Sequence, residues 1–268
     1  MSWVQQRYRQ QLNEVMADRA SADLSKSAIV FAPHPDDETL GCGGTIIRKL
    51  AAGAAVKLVF MTDGSQSHAS LMDAAKLGEI RQQEAIAAAR ALGVEAADIT
   101  FLNFSDGQLE RHVDAATDRV YELLTAYPVD EVFVPYHLEP PADHAATYHA
   151  VVGAIKRLSA QPQVYAYPIW YWEHWPWMPP VGKGKKDALK MVQRSVASGF
   201  GSAMFKDFQH AVYIEPAIAQ KRAALNQHAS QMSKLDGNPQ WSILGEVAQG
   251  DFLACFFQNY EIFHRPTV

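Results

Sequence analysis

The most informative segment of the chain, residues 27–49, reads S-A-I-V-F-A-P-H-P-D-D-E-T-L-G-C-G-G-T-I-I-R-K. The short apolar run Ala28–Ala32 predicts a buried strand of a parallel sheet, and a helical pattern follows from Thr45. Between them stand His34, Asp36, Asp37 and Glu38. Unpaired charges resist burial, and open α/β sheets bind their ligands beyond the carboxyl ends of their strands. We therefore expect the functional site at this strand end.

The rest of the chain alternates between strand and helix patterns. Further strands are predicted at Val56–Met61, Ile99–Phe101, Glu131–Tyr136, Val164–Trp170 and Val212–Glu215, and helices at Lys76–Leu92, Val113–Tyr127, Asp143–Ser159 and Ala217–Met232. Short links between such elements predict a parallel sheet with helices on both faces. We predict a Rossmann-like three-layer α/β/α sandwich with a mostly parallel sheet, in a single domain over residues 1–268.

Three segments lie outside this alternation. Apolar residues at helical spacing over residues 3–16 predict a helix that packs on its own domain or on a sister subunit. Residues 171–186, rich in tryptophan and proline, predict a loop or flap. Its tryptophans are interpreted as core, as a subunit interface or as a surface that stacks on sugar rings. The apolar segment Asp251–Phe263 is expected to dock on the domain.

Composition excludes several classes of protein. The chain has 268 residues, 48% of them hydrophobic, which is enough for one sizeable core. A formal net charge of -5 does not favour binding to nucleic acid. The N-terminal residues lack the layout of a signal peptide, and no apolar run approaches the roughly 20 residues that span a bilayer. Two cysteines provide no disulfide framework. We expect a soluble cytoplasmic protein.

The chemistry of the first strand end indicates a metal site. His34 and Asp37 offer nitrogen and oxygen ligands three residues apart, which suits zinc or another divalent ion such as iron(II). A catalytic zinc ion takes a third protein ligand and keeps one position open. His144 is the strongest candidate, ahead of His137, because it follows the fourth strand at the same edge of the sheet. Asp143, beside it, opens a helix whose backbone N–H groups it can cap.

Asp36 is the acid left without a ligand role. A carboxylate that faces the open coordination position can take a proton from metal-bound water, whose pKa zinc lowers to about 7. The alternative is that Asp36 and Glu38 only cap the glycine turn and the helix that follows.

The remaining glycines and histidines of interest have simpler interpretations. The glycines of the first segment do not have the G-x-G-x-x-G spacing of a dinucleotide site, and close packing of helix on strand explains them better. These glycines are Gly41, Gly43 and Gly44. His174 lies in the tryptophan-rich segment and is a candidate substrate contact. His228, on a predicted helix, is interpreted as a packed or surface histidine.

The five residues H-P-D-D-E at 34–38, between an apolar strand and L-G-C-G-G, resemble the PIG-L/LmbE family of zinc-dependent N-deacetylases. Further motifs follow in the family's order: Thr62-Asp63-Gly64, Arg81 with Glu84, Asp106-Gly107 and Asp143-His144. The resemblance is strong over residues 28–150 and looser from Ser230-Gln231 to the end. It implies hydrolysis of the acetamide of an N-acetylated amino sugar or its glycoconjugate to free amine and acetate.

The resemblance also implies roles for individual residues. His34, Asp37 and His144 match the family's metal ligands. Asp36 matches its general base, which later protonates the leaving amine. The remaining matches are to substrate-binding residues, Arg81 and Asp106, and to a carboxylate that orients a histidine, Asp143. Family members are often oligomeric, so a homo-oligomer is expected, with the N-terminal helix as a plausible contact.

One position departs from the family pattern. The family often has His-Pro-Asp-His, whose first histidine stabilises the oxyanion, and the matching residue here is Pro141. Loss of such a donor lowers the rate by about 10²–10³. A replacement by His137, His174 or His228, stabilisation by the metal alone, and weak activity all stay open.

Two alternative functions follow from these observations. One is a metal hydrolase that acts on another small-molecule amide or an ester. The other is a carbohydrate-binding protein with a relict metal site, in which Pro141 marks lost catalysis and the tryptophan-rich segment stacks on sugars. The identities of the substrate and of the metal stay open as well.

Overall fold

The computed structural model of the chain describes residues 2–17, 23–179 and 185–268. The strands are β1 (Ala28–Ala32), β2 (Val56–Thr62), β3 (Ile99–Phe104), β4 (Glu131–Pro135), β5 (Gln163–Tyr167), β6 (Phe208–Tyr213) and β7 (Tyr260–His264). The α-helices are α1 (Trp3–Ala17), α2 (Asp37–Ala51), α3 (Ala74–Leu92), α4 (Val113–Ala126), α5 (Ala142–Ile155), α6 (Lys185–Ala197), α7 (Ala203–Asp207), α8 (Ile218–Leu225), α9 (Ala229–Met232) and α10 (Asp251–Phe256). Short 3-10 helices cover Ala96–Asp98, Leu109–His112, Trp170–Trp172, Glu215–Ala217, Leu235–Gly237 and Leu244–Gly250.

The seven strands form one sheet in the order β3-β2-β1-β4-β5-β7-β6. The pairs from β3 to β5 are parallel, whereas β7 runs antiparallel to both β5 and β6. In the middle of the sheet, Val30 of β1 pairs with Leu58 of β2 and with Phe133 of β4. Every residue of β1 and β4 is buried, as expected for parallel strands covered on both faces.

Helices cover both faces of this sheet. Helices α2, α3 and α8 contact one another, and α4 contacts α5. The chain moves outward from β1 to β3 through α2 and α3, then returns to β4 and β5 through α4 and α5. Because such crossovers are right-handed, the two groups lie on opposite faces. The prediction of a Rossmann-like sandwich with a mostly parallel sheet is confirmed. Division into one domain stays a prediction, although most of the buried hydrophobic side chains described form one cluster.

Several predicted boundaries in the second half of the chain are wrong. The strand predicted at Val164–Trp170 ends at Tyr167, and the strand predicted at Val212–Glu215 is β6, which begins four residues earlier. The helix predicted over Ala217–Met232 is interrupted, since His228 has non-helical φ/ψ of -77° and 62°. The segment expected to dock from Asp251 instead forms α10 and supplies β7, a strand inside the sheet. A continuous apolar run does not distinguish a buried strand from a buried helix.

The N-terminal helix packs on its own chain. Leu12 and Met16 of α1 are buried in the core. The ring of Tyr8 lies 5.7 Å from that of Trp177 and 6.1 Å from that of Phe205, measured between centroids. The first of the two alternatives for α1 is therefore the one that the structure shows.

The tryptophan-rich segment is mostly part of the core. Trp172 and Trp177 are buried, with their ring centroids 5.2 Å apart, and Trp175 is 37% exposed. Residues 180–184 of the predicted flap lie outside the described residues, and α6 begins directly after them. Within the described ranges, no helix combines the length and the apolar character that crossing a membrane requires.

Candidate active site and metal centre

The site lies where four parallel strands end. The loop after β1 carries His34 and leads into α2, whose first residue is Asp37. The segment after β4 leads into α5, whose third residue is His144. The loop after β3 carries Asp106, and α3, which follows β2, carries Arg81. The carboxyl ends of parallel strands lie at the same edge of a sheet, so residues that are far apart in sequence meet at that edge.

His34, Asp37 and His144 form the first candidate metal centre. The Asp37 Oδ2 atom lies 3.2 Å from His34 Nδ1 and 3.3 Å from His144 Nε2. One potential ligand atom from each of the three residues lies within 4.8 Å of the others. The backbone N–H of His34 also donates to Asp37 Oδ2, at 3.1 Å, which fixes the carboxylate against the turn.

The state of His144 shows that these residues fit a metal ion. Its side chain is completely buried, yet neither ring nitrogen has a hydrogen-bond partner. The short distance to Asp37 lacks the direction of a hydrogen bond, so we treat the Nε2 atom as unsatisfied. A buried polar atom without a partner costs about 1–3 kcal/mol, and a divalent ion between imidazole and carboxylate removes that cost. This donor set does not select zinc over iron(II).

His34 also belongs to a second group of potential ligands. Its Nε2 atom lies 3.2 Å from Asp106 Oδ1 and 3.3 Å from Asp143 Oδ2. Burial opposes protonation of His34, but its hydrogen bonds to Asp106, Asp143 and Asp37 raise its pKa well above the usual 6.5. Burial raises the pKa of the Asp106 carboxyl, but the hydrogen bond and charge of His34, the Gln66 N–H and the charge of Arg81 together lower it to about 2.

The two carboxylates of the second group already accept backbone hydrogen bonds. Asp143 accepts from Gly107 N at 2.6 Å and from Leu109 N at 3.0 Å, and Asp106 accepts from Gln66 N at 2.8 Å. The first group is the better metal site because it also contains His144, whose buried ring nitrogens have no hydrogen-bond partner. Asp143 does not cap its own helix, contrary to expectation, because its oxygens face the loop after β3 instead.

Asp36 is held in a strained and buried position beside the metal centre. Its φ of 129° lies in the region that favours glycine, and such strain persists only where the surroundings enforce it. Burial raises the pKa of its carboxyl to about 6, although the Arg81 guanidinium, 3.2 Å away, opposes that rise. A carboxyl with a pKa near neutrality is suited to general-base chemistry. Its side chain makes no capping hydrogen bond to α2, so the capping alternative is wrong for Asp36.

Glu38 and His228 form a buried pair that holds the backbone of Asp36 in place. The Glu38 Oε2 atom accepts the backbone N–H of Asp36 at 3.0 Å, and Oε1 lies 3.1 Å from His228 Nε2. Both side chains of this pair are completely buried. Burial lowers the pKa of His228, but the charge and hydrogen bond of Glu38, together with the charge of Asp36, raise it above the usual value. Glu38 therefore has a structural role, as the capping alternative had it for this residue, and His228 is a packed histidine outside any helix.

Arg81 joins two of the strand-end loops. It donates from Nη1 to the Gly64 carbonyl at 2.9 Å and from Nη2 to the Pro35 carbonyl, and it pairs with Asp36. Its Nε atom is buried without a partner. The guanidinium thus positions the Asp36 carboxylate, and its contact with substrate stays a prediction.

A cavity of about 370 Å³ opens onto these side chains. Its lining includes His34, Asp36, Asp37, Arg81 and Asp106, together with Leu40, Gln66, Ser67, Pro141, Ile169, Trp170, Gln231 and Leu244. Other cavities of about 460 Å³ occur on the surface, but they lack these metal-ligating residues. Sequence reasoning named neither Gln66 nor Trp170 individually, because neither residue type has a spacing that marks a site.

Pro141, which the resemblance matches to the family's first histidine, lines the cavity. The three histidines proposed to replace it lie elsewhere among the described residues. His137 packs near His264, with ring centroids 5.7 Å apart, and His174 bonds through Nδ1 to the Tyr171 carbonyl at 2.6 Å. The third candidate for the replacement, His228, pairs with Glu38. None of the three proposed histidines lines the cavity.

The fold and the site define a Rossmann-like α/β protein with a potential histidine–carboxylate metal centre at the strand ends. Residues 29–155 match the family model PIG-L, described as GlcNAc-PI de-N-acetylase. A 1D-myo-inositol 2-acetamido-2-deoxy-alpha-D-glucopyranoside deacetylase from Mycobacterium sp. (strain KMS) is 30% identical over 262 residues, which is 85% of this chain and 81% of that relative. The chain therefore belongs to the PIG-L family.

A further relative and a solved structure are also similar to this chain. A probable N-acetyl-alpha-D-glucosaminyl L-malate deacetylase 2 from Bacillus cereus is 29% identical over 155 residues, covering 54% of this chain and 69% of that relative. The solved structure of N,N'-diacetylchitobiose deacetylase from Pyrococcus horikoshii has a TM-score of 0.64 at 21% identity, covering 98% of this chain and 93% of that one. The last similarity shows a shared fold.

Proposed function

We propose that the protein is a metal-dependent N-deacetylase that hydrolyses the acetamide of an N-acetylated amino sugar or its glycoconjugate. The observation that carries the proposal is the meeting of His34, Asp37 and His144. Two of these residues, His34 and Asp37, line one cavity together with Asp36. Relatives over most of the chain are named as deacetylases of N-acetylated glucosamine derivatives, which supports this class of substrate.

In this proposal, His34, Asp37 and His144 hold a divalent ion, zinc or iron(II). When bound, the ion acts as a Lewis acid that polarises the acetamide carbonyl and lowers the pKa of a water molecule. Asp36 takes the proton of the attacking water and returns it to the departing amine. Arg81 holds the Asp36 carboxylate in place, at 3.2 Å. Acetate and a free amino sugar result.

The rest of the cavity binds the sugar. Asp106 and Arg81 are proposed to contact sugar hydroxyls, and Asp143 orients His34 through its Nε2 atom. The side chains of Gln66 and Gln231 add neutral hydrogen-bonding groups to the lining. With Pro141 in place of a histidine, none of the three proposed histidines supplies a donor to the oxyanion.

The test compares two variants with the wild-type protein. Asp36→Asn should lower acetate release from N-acetylated sugars by at least about 10², the lower end of the usual contribution of general-base catalysis, while bound metal stays unchanged. His144→Ala should lose the metal. Elemental analysis and acetate release from a panel of N-acetylated sugars measure both effects, and His112→Ala, an exposed histidine outside the site, is the control. Full turnover by Asp36→Asn would refute its assignment as base, and full metal occupancy in His144→Ala would refute that ligand.

A second candidate is a carbohydrate-binding protein with a relict metal site. Pro141 and the tryptophan Trp170 in the cavity lining favour it. In that case the protein binds metal and sugar but releases no acetate from any N-acetylated sugar of the panel. Release of another acid from a different amide or an ester would identify a hydrolase of that other class instead.

A further inference from the structure

Glu139 is a buried carboxylate to which sequence reasoning assigned no role. It lies between β4 and α5, and its side chain is completely buried. It accepts hydrogen bonds from three consecutive backbone N–H groups: Ile169 and Trp170, both at 2.7 Å, and Tyr171 at 3.1 Å. These donors form the turn after β5, so one carboxylate fixes that whole turn.

The same carboxylate faces the candidate metal ligand His144. Its Oε2 atom lies 3.4 Å from His144 Nδ1, at the far limit of a hydrogen bond and without good direction. The other ring nitrogen of His144 faces Asp37. A histidine that binds metal through one nitrogen usually donates its other N–H to a carboxylate or a carbonyl, which sets the tautomer and the orientation of the ring.

The turn that Glu139 fixes also forms part of the cavity wall. Ile169 and Trp170 both line the cavity beside the metal centre. The Trp170 ring stacks on Phe252, with centroids 4.6 Å apart and an interplanar angle of 22°. Glu139 therefore connects a wall of the substrate cavity with a ligand of the metal.

We propose that Glu139 is a positioning residue that holds His144 with Nε2 directed to the metal and, with the same carboxylate, holds Trp170 in the cavity wall. The inference rests on the proposed metal site. It makes Glu139, rather than Asp143, the carboxylate that orients His144, because Asp143 contacts His34 instead.

The experiment measures metal affinity and the absorption spectrum of the cobalt(II)-substituted protein for Glu139→Gln and for the wild-type protein. The amide has nearly the same shape but no charge, so we expect metal affinity to fall by about 10–100-fold, with a changed cobalt(II) spectrum. Glu139→Asp keeps the charge on a shorter side chain and should lower the affinity as well, which provides a second variant if one folds poorly.

The matched control is Glu261→Gln. Glu261 is equally buried and also accepts two backbone N–H groups, from Gly44 and Thr45, but it contacts none of the candidate ligands. This variant should lower thermal stability and leave the metal affinity of the folded protein unchanged. Trp170→Ala should raise KM for the sugar without changing metal affinity. This result would separate the effect of Glu139 on the cavity wall from its effect on the metal ligand His144.

Wild-type metal affinity and an unchanged cobalt(II) spectrum in Glu139→Gln would overturn the role of Glu139 alone, provided that His144→Ala loses the metal. If the wild-type protein binds no metal, or if His144→Ala keeps it, the proposed metal site fails instead. The two failures are therefore distinguishable.

Discussion

Individual residues of this site have buried charges or a strained backbone, and contacts with neighbouring residues stabilise them. Asp36 adopts a φ of 129° and keeps a buried carboxyl, while Glu38 accepts its backbone N–H and Arg81 pairs with its side chain. Local order of this kind holds a reactive group in one geometry before substrate arrives. The sequence identified Asp36 as a candidate base. It could not identify the contact between Glu38 and His228 that supports Asp36, because these two residues are 190 positions apart.

A pH-dependent stability is expected from His174, which is buried with its Nε2 atom unpartnered. Burial, opposed by the hydrogen bond to the Tyr171 carbonyl and aided by the charge of Arg194, lowers its pKa from 6.5 to about 4. At a pH between about 4 and 6.5, His174 binds a proton in the unfolded chain but not in the folded protein. His174 therefore has no effect on the free energy of unfolding above pH 7, and it lowers that free energy as the pH falls from 6.5 to 4.

His174→Asn, which keeps a donor for that carbonyl, should remove this loss. Between pH 7 and pH 5 the wild-type protein should lose about 2 kcal/mol more of its free energy of unfolding than the variant, measured by urea denaturation. The exposed His112→Asn serves as the control and should follow the wild type. Equal losses in His174→Asn and the wild-type protein would contradict the assignment.

At the scale of single elements, α2 shows how closely a helix approaches its neighbours. The prediction that its glycines allow close packing is confirmed: Gly41 faces the ring of Tyr167, and Gly44 faces Ile214. A Cβ atom on Gly44 would lie 2.6 Å from Ile214 Cβ, which no relaxed contact permits. The N-terminal residue of α2 is Asp37, one of the candidate metal ligands.

Gly44→Ala should therefore destabilise the protein by about 1–3 kcal/mol, the usual effect of overpacking. Gly78→Ala is the matched control on α3, because its Cβ atom would lie 3.6 Å from Ser65 Cβ, an ordinary contact. That variant should be neutral or up to about 1 kcal/mol more stable, since alanine favours the helix. Thermal or urea unfolding measures the stability of both variants. Equal stability changes would show that the contact with Ile214 does not make alanine unfavourable at position 44.

At the scale of the whole molecule, the C-terminal elements hold the helix that begins at the site. Lys221 of α8 is completely buried and donates to Glu261 of β7 at 2.7 Å and to the Leu40 carbonyl of α2 at 2.8 Å. Glu261 in turn accepts the backbone N–H groups of Gly44 and Thr45 in α2. Segments more than 170 residues downstream thus clamp α2 against the sheet.

Breaking this buried pair should be costly. Lys221→Met leaves the Glu261 carboxylate without its cation and should lower the free energy of unfolding by about 3–5 kcal/mol. The double variant Lys221→Met with Glu261→Gln should lose less than the sum of the two single variants, because it buries no unpaired charge. Urea unfolding of all four proteins measures the coupling, and strict additivity would show that the two residues act independently.

Local pattern alone determined the first half of this protein: the strand Ala28–Ala32, the alternation that follows it, and the candidates His34, Asp37 and His144. These are predictable because strand and helix periodicity is local, and because parallel strands bring their carboxyl ends to one edge. Only the tertiary structure decided the place of β7 inside the sheet, the partners of Glu139 and His228, and the absence of the three candidate histidines from the described cavity lining. Those features depend on contacts between residues far apart in sequence, which periodicity does not encode.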